Sequence, residues 1–306
     1  VLLALVGAAV LALVNMFDKT VHGYSRTPDT LPLFIGVAQT TIGVVVLALV
    51  VGIGGVPDGA TWSMTATALG SGALYGVGAS LMIRVLFHQE VSRTIPVTQT
   101  APIFAALMGV AFLGEAVTAA QWLAILATVV GAVAISVRVA PGGGGTSVGG
   151  VVLQRSFFVL LLGSAIVAGA DVVGKVALEE LPVLFTHGLR VLGIGVVYLV
   201  WSARREPMRN IAELVRSRSP ALKFVVANEL VIANVALLLL LWALSLGPVS
   251  LVTALAATRA MFVVLYSTTL ALVWKGALGE VTTRRAVAVK VGSTAVIVAG
   301  VAGIAI

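Results

Sequence analysis

Two stretches decide the fold: LALVGAAVLALVNMFDKTV, residues 3–21, and VLLLGSAIVAGADVVGKVA, residues 159–177. Laid on each other they pair Leu5 with Leu161, Gly7 with Gly163, Ala9 with Ala165, Ala12 with Ala168 and Lys19 with Lys175. Each is an apolar run close to the length a bilayer-crossing helix needs, about 20 residues. Each also closes on a polar residue, Asn15 or Asp171, and then the lysine. Later segments repeat in the same sense. Val91-Ser92 matches Val249-Ser250, Thr100 matches Thr258, Phe104 matches Phe262, and both halves reach a Gly-Glu pair, Gly114-Glu115 and Gly279-Glu280.

The rest of the chain agrees with that reading. Its 306 residues are 59% hydrophobic and only 10% charged, with a mean hydropathy of +1.12. A soluble domain carries roughly 25% charged residues, so this composition excludes a soluble enzyme. The absence of cysteine excludes disulfides, thiolate metal sites and thiol catalysis. Apolar runs and breakers place ten spans at 1–19, 31–53, 62–87, 94–113, 119–138, 156–177, 182–202, 221–246, 249–274 and 285–306. The first span has no basic region before it and is read as a span, not a signal peptide. Because the chain opens on Val1, a short preceding piece is expected. Glycines 142 to 145, 149 and 150 mark a flexible linker.

The expected fold is therefore an all-α integral membrane protein of ten transmembrane helices. Residues 1–138 form the first five-helix repeat, 139–155 the linker and 156–306 the second repeat. Five spans per half is an odd number, so the second half inserts upside down. Such an inverted repeat places a substrate site near mid-membrane between the halves.

A five-plus-five arrangement, a polar residue and a lysine ending the first helix of each half, and Pro102 followed by Gly114-Glu115 resemble the drug/metabolite transporter superfamily. The nearest resemblance is to its ten-helix EamA-type branch and covers essentially the whole chain. It implies that the first four helices of each repeat line a central cavity and that spans 5 and 10 are peripheral. The chain departs from the pattern in having Ala260 at the second-repeat equivalent of Pro102. Charge departs too. The net charge is +7, and fourteen of the 19 basic residues fall in loops that share one face. The positive-inside rule puts that Arg-rich face in the cytoplasm and both termini outside, whereas many EamA-type proteins are expected to have both termini inside. The basic residues are interleaved with apolar blocks, a topology signal, so no nucleic-acid partner is expected.

Ionisable groups inside spans are costly and face a cavity or a partner. Six qualify: Arg84, Asp171, Arg190, Glu229, Arg259 and Lys290. Arg84 and Lys290 lie close enough to the cytoplasmic end to snorkel. Arg190 and Arg259 are deeper, so each needs an anion. One reading pairs them with Glu229; the other leaves one free to hold a substrate carboxylate or phosphate. Sugar-phosphate translocators of the superfamily are similar in placing basic residues in the ninth helix, and Arg259 answers that position in part. Asp171 and Glu229 are the candidate coupling residues. Asp171 either takes up a proton, as an embedded acid does in small multidrug-resistance relatives, or pairs with Lys175 one turn away.

Asn15, Gln99, Asn234 and His187 are candidates for cavity hydrogen bonds, and Tyr75 and Trp242 for stacking on a substrate. Gln39 and Asn228 join them as polar groups in spans. Gly72 and Gly76, four apart, predict close helix packing. Pro207 to Ser219 predicts a short amphipathic helix on the membrane surface.

The expected function is secondary transport of a small organic metabolite bearing a carboxylate or phosphate, such as an amino acid, across the cell membrane by alternating access. Alternatives on the same fold are a flippase of a lipid-linked phosphosugar and a multidrug or cation exporter; a structural subunit of a membrane complex is the non-transport reading. The three histidines are scattered and form no His-Glu-x-x-His cluster, so no metal, cofactor or catalytic residue is expected. The expected partners are the solute, membrane lipid, and a proton or exchanged solute, with the protein a monomer or weak homodimer.

Overall fold

The computed structural model describes residues 1–22, 29–88, 97–136, 155–273, 292–300 and 303. In chain order the helices are α1 (Leu2–His22), α2 (Thr30–Gly54), α3 (Trp62–His88), α4 (Ala101–Leu113), α5 (Ala119–Ser136), α6 (Arg155–Glu180), α7 (Val183–Ser202) and α8 (Arg205–Arg216). They continue with α9 (Pro220–Val226), a π-helical turn (Ala227–Ile232), α10 (Ala233–Leu246), α11 (Val249–Ala256) and α12 (Arg259–Val273); residues 292–300 are also helical. The π turn joins α9 to α10 without a break, so the expected eighth span is one continuous rod.

Six segments are long and apolar enough to cross a bilayer: Thr30–Gly54, Trp62–Val85, Ser156–Glu180, Val183–Ser202, Leu222–Leu246 and Val249–Tyr266. Leu2–Asp18, Ala101–Leu113 and Ala119–Gly131 are shorter apolar helices. The outer surface is apolar, with Phe112 77% and Val200 82% exposed. A water-soluble monomer does not present so much contiguous apolar surface. The chain is a multi-pass helical membrane protein.

Small residues bring the helices together, because lipid supplies no hydrophobic drive between them. Helix α7 lies against α2, α3 and α10. A Cβ on Gly72 of α3 would lie 1.9 Å from the Arg190 carbonyl oxygen, and one on Gly193 would lie 2.3 Å from that of Leu69. The predicted close packing around Gly72 is thus a backbone contact between α3 and α7, and it fixes the height of Arg190. Elsewhere α1 packs on α10, α11 and α12, and α4 on α6 and α11. Helix α5 packs on α4, α11, α12 and residues 292–300, where the Cβ position of Gly131 is 3.0 Å from the Ser293 oxygen.

Two surface features hold the Arg-rich end. Arg84 does more than snorkel: its Nη2 lies 2.8 Å from Asp29 Oδ1, and its guanidinium sits 4.7 Å from the centroid of the Trp201 ring. The predicted amphipathic helix is α8, which packs along α2; Asn210 Nδ2 donates to Thr30 Oγ1 at 3.0 Å while Arg205, Met208 and Arg209 face outward. The linker at 139–154 and the basic residues Arg26, Arg93, Arg138, Lys275, Arg284, Arg285 and Lys290 lie outside the described residues.

Gly72→Ala forces α3 away from α7 and is expected to cost at least the roughly 1–3 kcal/mol typical of overpacking. Gly70→Ala is the control. No atom lies within 4 Å of its Cβ position, so it should gain up to about 1 kcal/mol of helix propensity. Denaturant or thermal unfolding in detergent checks both.

Candidate functional site

Two helices are interrupted at the same level of the bundle, and their breaks face each other. The fourth expected span begins with a turn at residues 97–100 before α4; the ninth is broken between α11 and α12 at Ala257 and Thr258. The breaks share a chemistry. Thr100 Oγ1 donates to the Val97 carbonyl at 2.6 Å, and Thr258 Oγ1 donates to the Leu255 carbonyl at 2.6 Å. These threonines pair in the sequence comparison of the halves. In each, the hydroxyl occupies a carbonyl freed by the interruption, as a buried backbone group requires. Gln99, 3% exposed, reaches across and donates Nε2 to the Ala257 carbonyl at 3.4 Å.

A cavity of about 770 Å³, including its open mouth, lies beside these breaks. Its walls come from α1, α3, α4, α6, α7, α10, α11 and α12. Leu11, Val167, Leu237, Leu240, Leu241, Leu244 and Val252 make it largely apolar; Tyr75, Thr98, Gln99, Asp171, Arg190, Thr253 and Arg259 are its polar groups. Five of the sequence-predicted residues therefore meet here: Tyr75, Gln99, Asp171, Arg190 and Arg259.

The charges inside it are arranged unequally. Arg190 Nη2 forms a close ion pair with Asp171 Oδ1, and the Arg190 guanidinium carbon lies 5.3 Å from the Tyr75 ring centroid, a cation–π contact. Gly174 makes room for that guanidinium: a Cβ there would be 2.7 Å from Nη1. Ser71, buried beside it, donates to the Ala170 carbonyl at 2.8 Å. Arg259, the first residue of α12, has no ion-pair partner among the described residues and lies within electrostatic reach of Tyr75.

Two expected pairings are corrected. Asp171 does not pair with Lys175, because Lys175 Nζ donates to the carbonyls of Leu244 and Gly247 at 2.7 and 3.2 Å. Those are the last carbonyls of α10, which an ammonium satisfies well. Nor does Glu229 pair with Arg190 or Arg259. It lies within hydrogen-bonding reach of Asp18, with Asn228 Nδ2 donating to Glu229 Oε1 at 3.0 Å and to Asp18 Oδ1 at 2.8 Å.

The other predicted residues stand apart from the cavity wall. His187 is buried one turn from Arg190 on α7. Asn234 Nδ2 donates to the Glu229 carbonyl at 2.8 Å, filling an acceptor that the π turn leaves over. Trp242 is 48% exposed on α10, and Asn15 is exposed on α1.

Sequence reading missed Asp18, which sits next to Lys19 at the expected span end and reads as a loop residue. It also missed the use of Glu115. That carboxylate accepts the backbone N–H of Val249 and the N–H and Oγ–H of Ser250, at 3.1 and 2.6 Å for Ser250, and so caps the N-terminus of α11. Gly114, at φ +66°, turns the chain to deliver it, and a Cβ on Gly109 would stand 2.6 Å from the Glu115 carboxylate. A Gly-Glu pair of the first half thus anchors the broken helix of the second. Its sequence equivalents Glu280, Val91 and Ser92 lie outside the described residues.

A multi-pass bundle with interrupted helices around a charged cavity has the build of a membrane transport protein. Residues 1–137 match the EamA-like transporter family, so the first 137 residues are an EamA-like domain, from a family of transporters and not of enzymes. No curated protein matches the chain. Twenty-five chains of known structure match. One, described only as the crystal structure of a protein, aligns over 99% of this chain and 93% of its own, with a TM-score of 0.70 and 18% identity. At that identity it shows the shared fold alone.

Removing either member of the Arg190–Asp171 pair strands the other in an apolar wall. Arg190→Ala and Asp171→Ala are each expected to cost about 3–5 kcal/mol. The double variant should cost less than the sum of the two, by about 0.5–3 kcal/mol. An unfolding double-mutant cycle in detergent measures this; additivity would show that the pair is not coupled.

Proposed function

We propose that the protein is a secondary transporter for a small zwitterionic metabolite of the amino-acid type, held by its carboxylate at Arg259. The observation that carries this reading is the unequal use of the two cavity arginines. Arg190 is neutralised by Asp171, while Arg259 faces the cavity with no carboxylate beside it among the described residues. A guanidinium in an apolar surround needs an anion, and its planar fork suits a carboxylate. The second oxygen of Asp171 and the Tyr75 ring face the same space and suit an ammonium group. Leucines, valines and alanines around them suit an apolar side chain.

We also propose that the chain is built as the two inverted five-helix repeats expected from sequence, 1–138 and 156–306. Matched packing supports this: α1 on α10 answers α6 on α3, and the Thr100 and Thr258 bonds occupy corresponding positions. Alternating access then comes from rocking the halves about the interrupted helices. The Arg-rich loops lie in the cytoplasm in this reading, with α8 on the inner surface and both termini outside. One chain encloses the cavity, so a monomer suffices.

A ligand-induced thermal shift tests the site. Purified protein is screened with L-leucine, L-glutamate, a hexose phosphate and tetraphenylphosphonium. A zwitterion at 100 times its dissociation constant should stabilise the protein by about 2.7 kcal/mol, and Arg259→Ala should abolish the shift without lowering the melting temperature of the ligand-free protein. Tetraphenylphosphonium stabilising both proteins alike, with no zwitterion effect, would overturn the reading.

A further inference from the structure

The mechanism above leaves one buried ionisable cluster unused. Asp18 on α1 and Glu229 in the π turn bring their carboxyls within hydrogen-bonding reach of each other, and the Glu229 side chain is almost fully enclosed. Asn228, 1% exposed, points its amide nitrogen at both carboxyls, while its Oδ1 has no hydrogen-bond partner. The π turn is what places Asn228 and Glu229 side by side against α1. Such turns are rare and concentrate at functional sites.

The groups facing the pair offer no counter-charge. Tyr198 of α7 lies within electrostatic reach of both carboxyls. Helices α2 and α10, which pack on the π turn, carry no ionisable residue. Lys223 of α9 is exposed, and the side chains of Lys19 and His22 of α1 lie outside the described residues. Two ionised carboxylates this close in an apolar bundle repel strongly, and such pairs hold one proton between them. A metal ion fits poorly, since the Asn228 amide turns a donor toward the oxygens that would have to coordinate it.

We infer that Asp18, Glu229 and Asn228 form a proton-binding site, in which one exchangeable proton bridges the carboxyls and the Asn228 amide braces them. That this proton is the coupling ion rests on the transport reading above; its binding does not. A polar track joins the two places. Tyr198 is in electrostatic contact with Glu229 and Asp18 on one side and with Tyr75 on the other, and Tyr75 in turn with Asp171, Arg190 and Arg259. Along α7, Tyr198 lies eight residues from Arg190, about 12 Å of helix. The proton would be held on the Arg-rich side of the solute. The free Asn228 Oδ1 gives the amide a second setting: turned over, it can accept from a protonated carboxyl where Nδ2 now donates to an ionised one.

Infrared spectroscopy of the purified protein reads the site directly. The wild-type protein at neutral pH should show the C=O stretch of a buried protonated carboxyl, lost reversibly on alkalinisation with release of one proton per molecule. The neutral isosteres Glu229→Gln and Asp18→Asn should each abolish that proton release, and Asn228→Leu should shift the band. Absence of the band from the wild type overturns the proposal whether or not the variants fold. Persistence of the proton release in folded Glu229→Gln and Asp18→Asn overturns it too, as does loss of the band on adding sodium at constant pH. All of this is measured without solute. A missing band with an intact Arg259-dependent thermal shift would remove the proton site alone, and the converse would remove the solute site alone.

Discussion

Charge inside an apolar bundle must be matched or hydrated, and the Arg190–Asp171 pair is where this chain meets that constraint first. The guanidinium could be placed only if three helices came close enough to enclose it. Gly72 and Gly193 let α3 and α7 touch backbone to backbone, Gly174 clears the space for Nη1, and Tyr75 covers the guanidinium. Each of those small residues sits where a methyl group would collide with Arg190 or with the backbone beside it. The pair also determines what the cavity can do. By neutralising one arginine it leaves the other as the charge that a solute would meet.

The second constraint is the interruption of two helices in the middle of the bundle. A broken helix exposes carbonyls and N–H groups that hydrocarbon cannot satisfy. Here the protein's own side chains do so: the Thr100 and Thr258 hydroxyls at the breaks, Gln99 across them, and Glu115 at the head of α11. Glu115 belongs to one half of the chain and α11 to the other, so the half-to-half interface is partly made of the groups that permit the break. Movement between the halves would therefore be felt at the beginning of the ninth span, one short helix away from Arg259.

Much of this architecture was legible in the sequence because it depends on runs and on small residues. Apolar length gave the helices to within a few residues, and the glycine spacing on α3 gave its contact face. Five cavity residues were legible because an arginine, an aspartate or a glutamine deep in an apolar run has few other uses. What could not be read was pairing across the bundle. Asp171 has Lys175 one turn away, the nearer partner by sequence, yet Lys175 is drawn to the carbonyls ending α10 and Arg190 approaches from another helix. Glu229 could not be matched with Asp18 because that depends on a π turn, which shifts every following side chain around the helix and leaves no periodic trace in apolar text. Asn234 illustrates the same point. It reads as a site residue by type, and its amide is spent on the carbonyl that the π turn sets free.

The two halves differ most where they carry charge. Asp18 stands in the first half where the second has Gly174, and Asn15 stands where the second has Asp171. Each half therefore has one acid in its first helix, but shifted by almost one turn. In the second half the vacated position is filled by the Arg190 guanidinium; in the first, the acid itself meets Glu229. Two arginines and three carboxyls thus share the middle of the bundle. With one proton on the Asp18–Glu229 pair their charges sum to zero; without it the set carries a net negative charge. A zwitterionic solute adds no net charge to either state but redistributes it, drawing positive potential from Arg259 and negative potential from Asp171. Because Tyr75 and Tyr198 connect the two sites electrostatically, occupancy of one changes the cost of charge at the other. Coupling of this kind needs no direct contact between proton and solute, only a shared low-dielectric interior in which neither can be ignored.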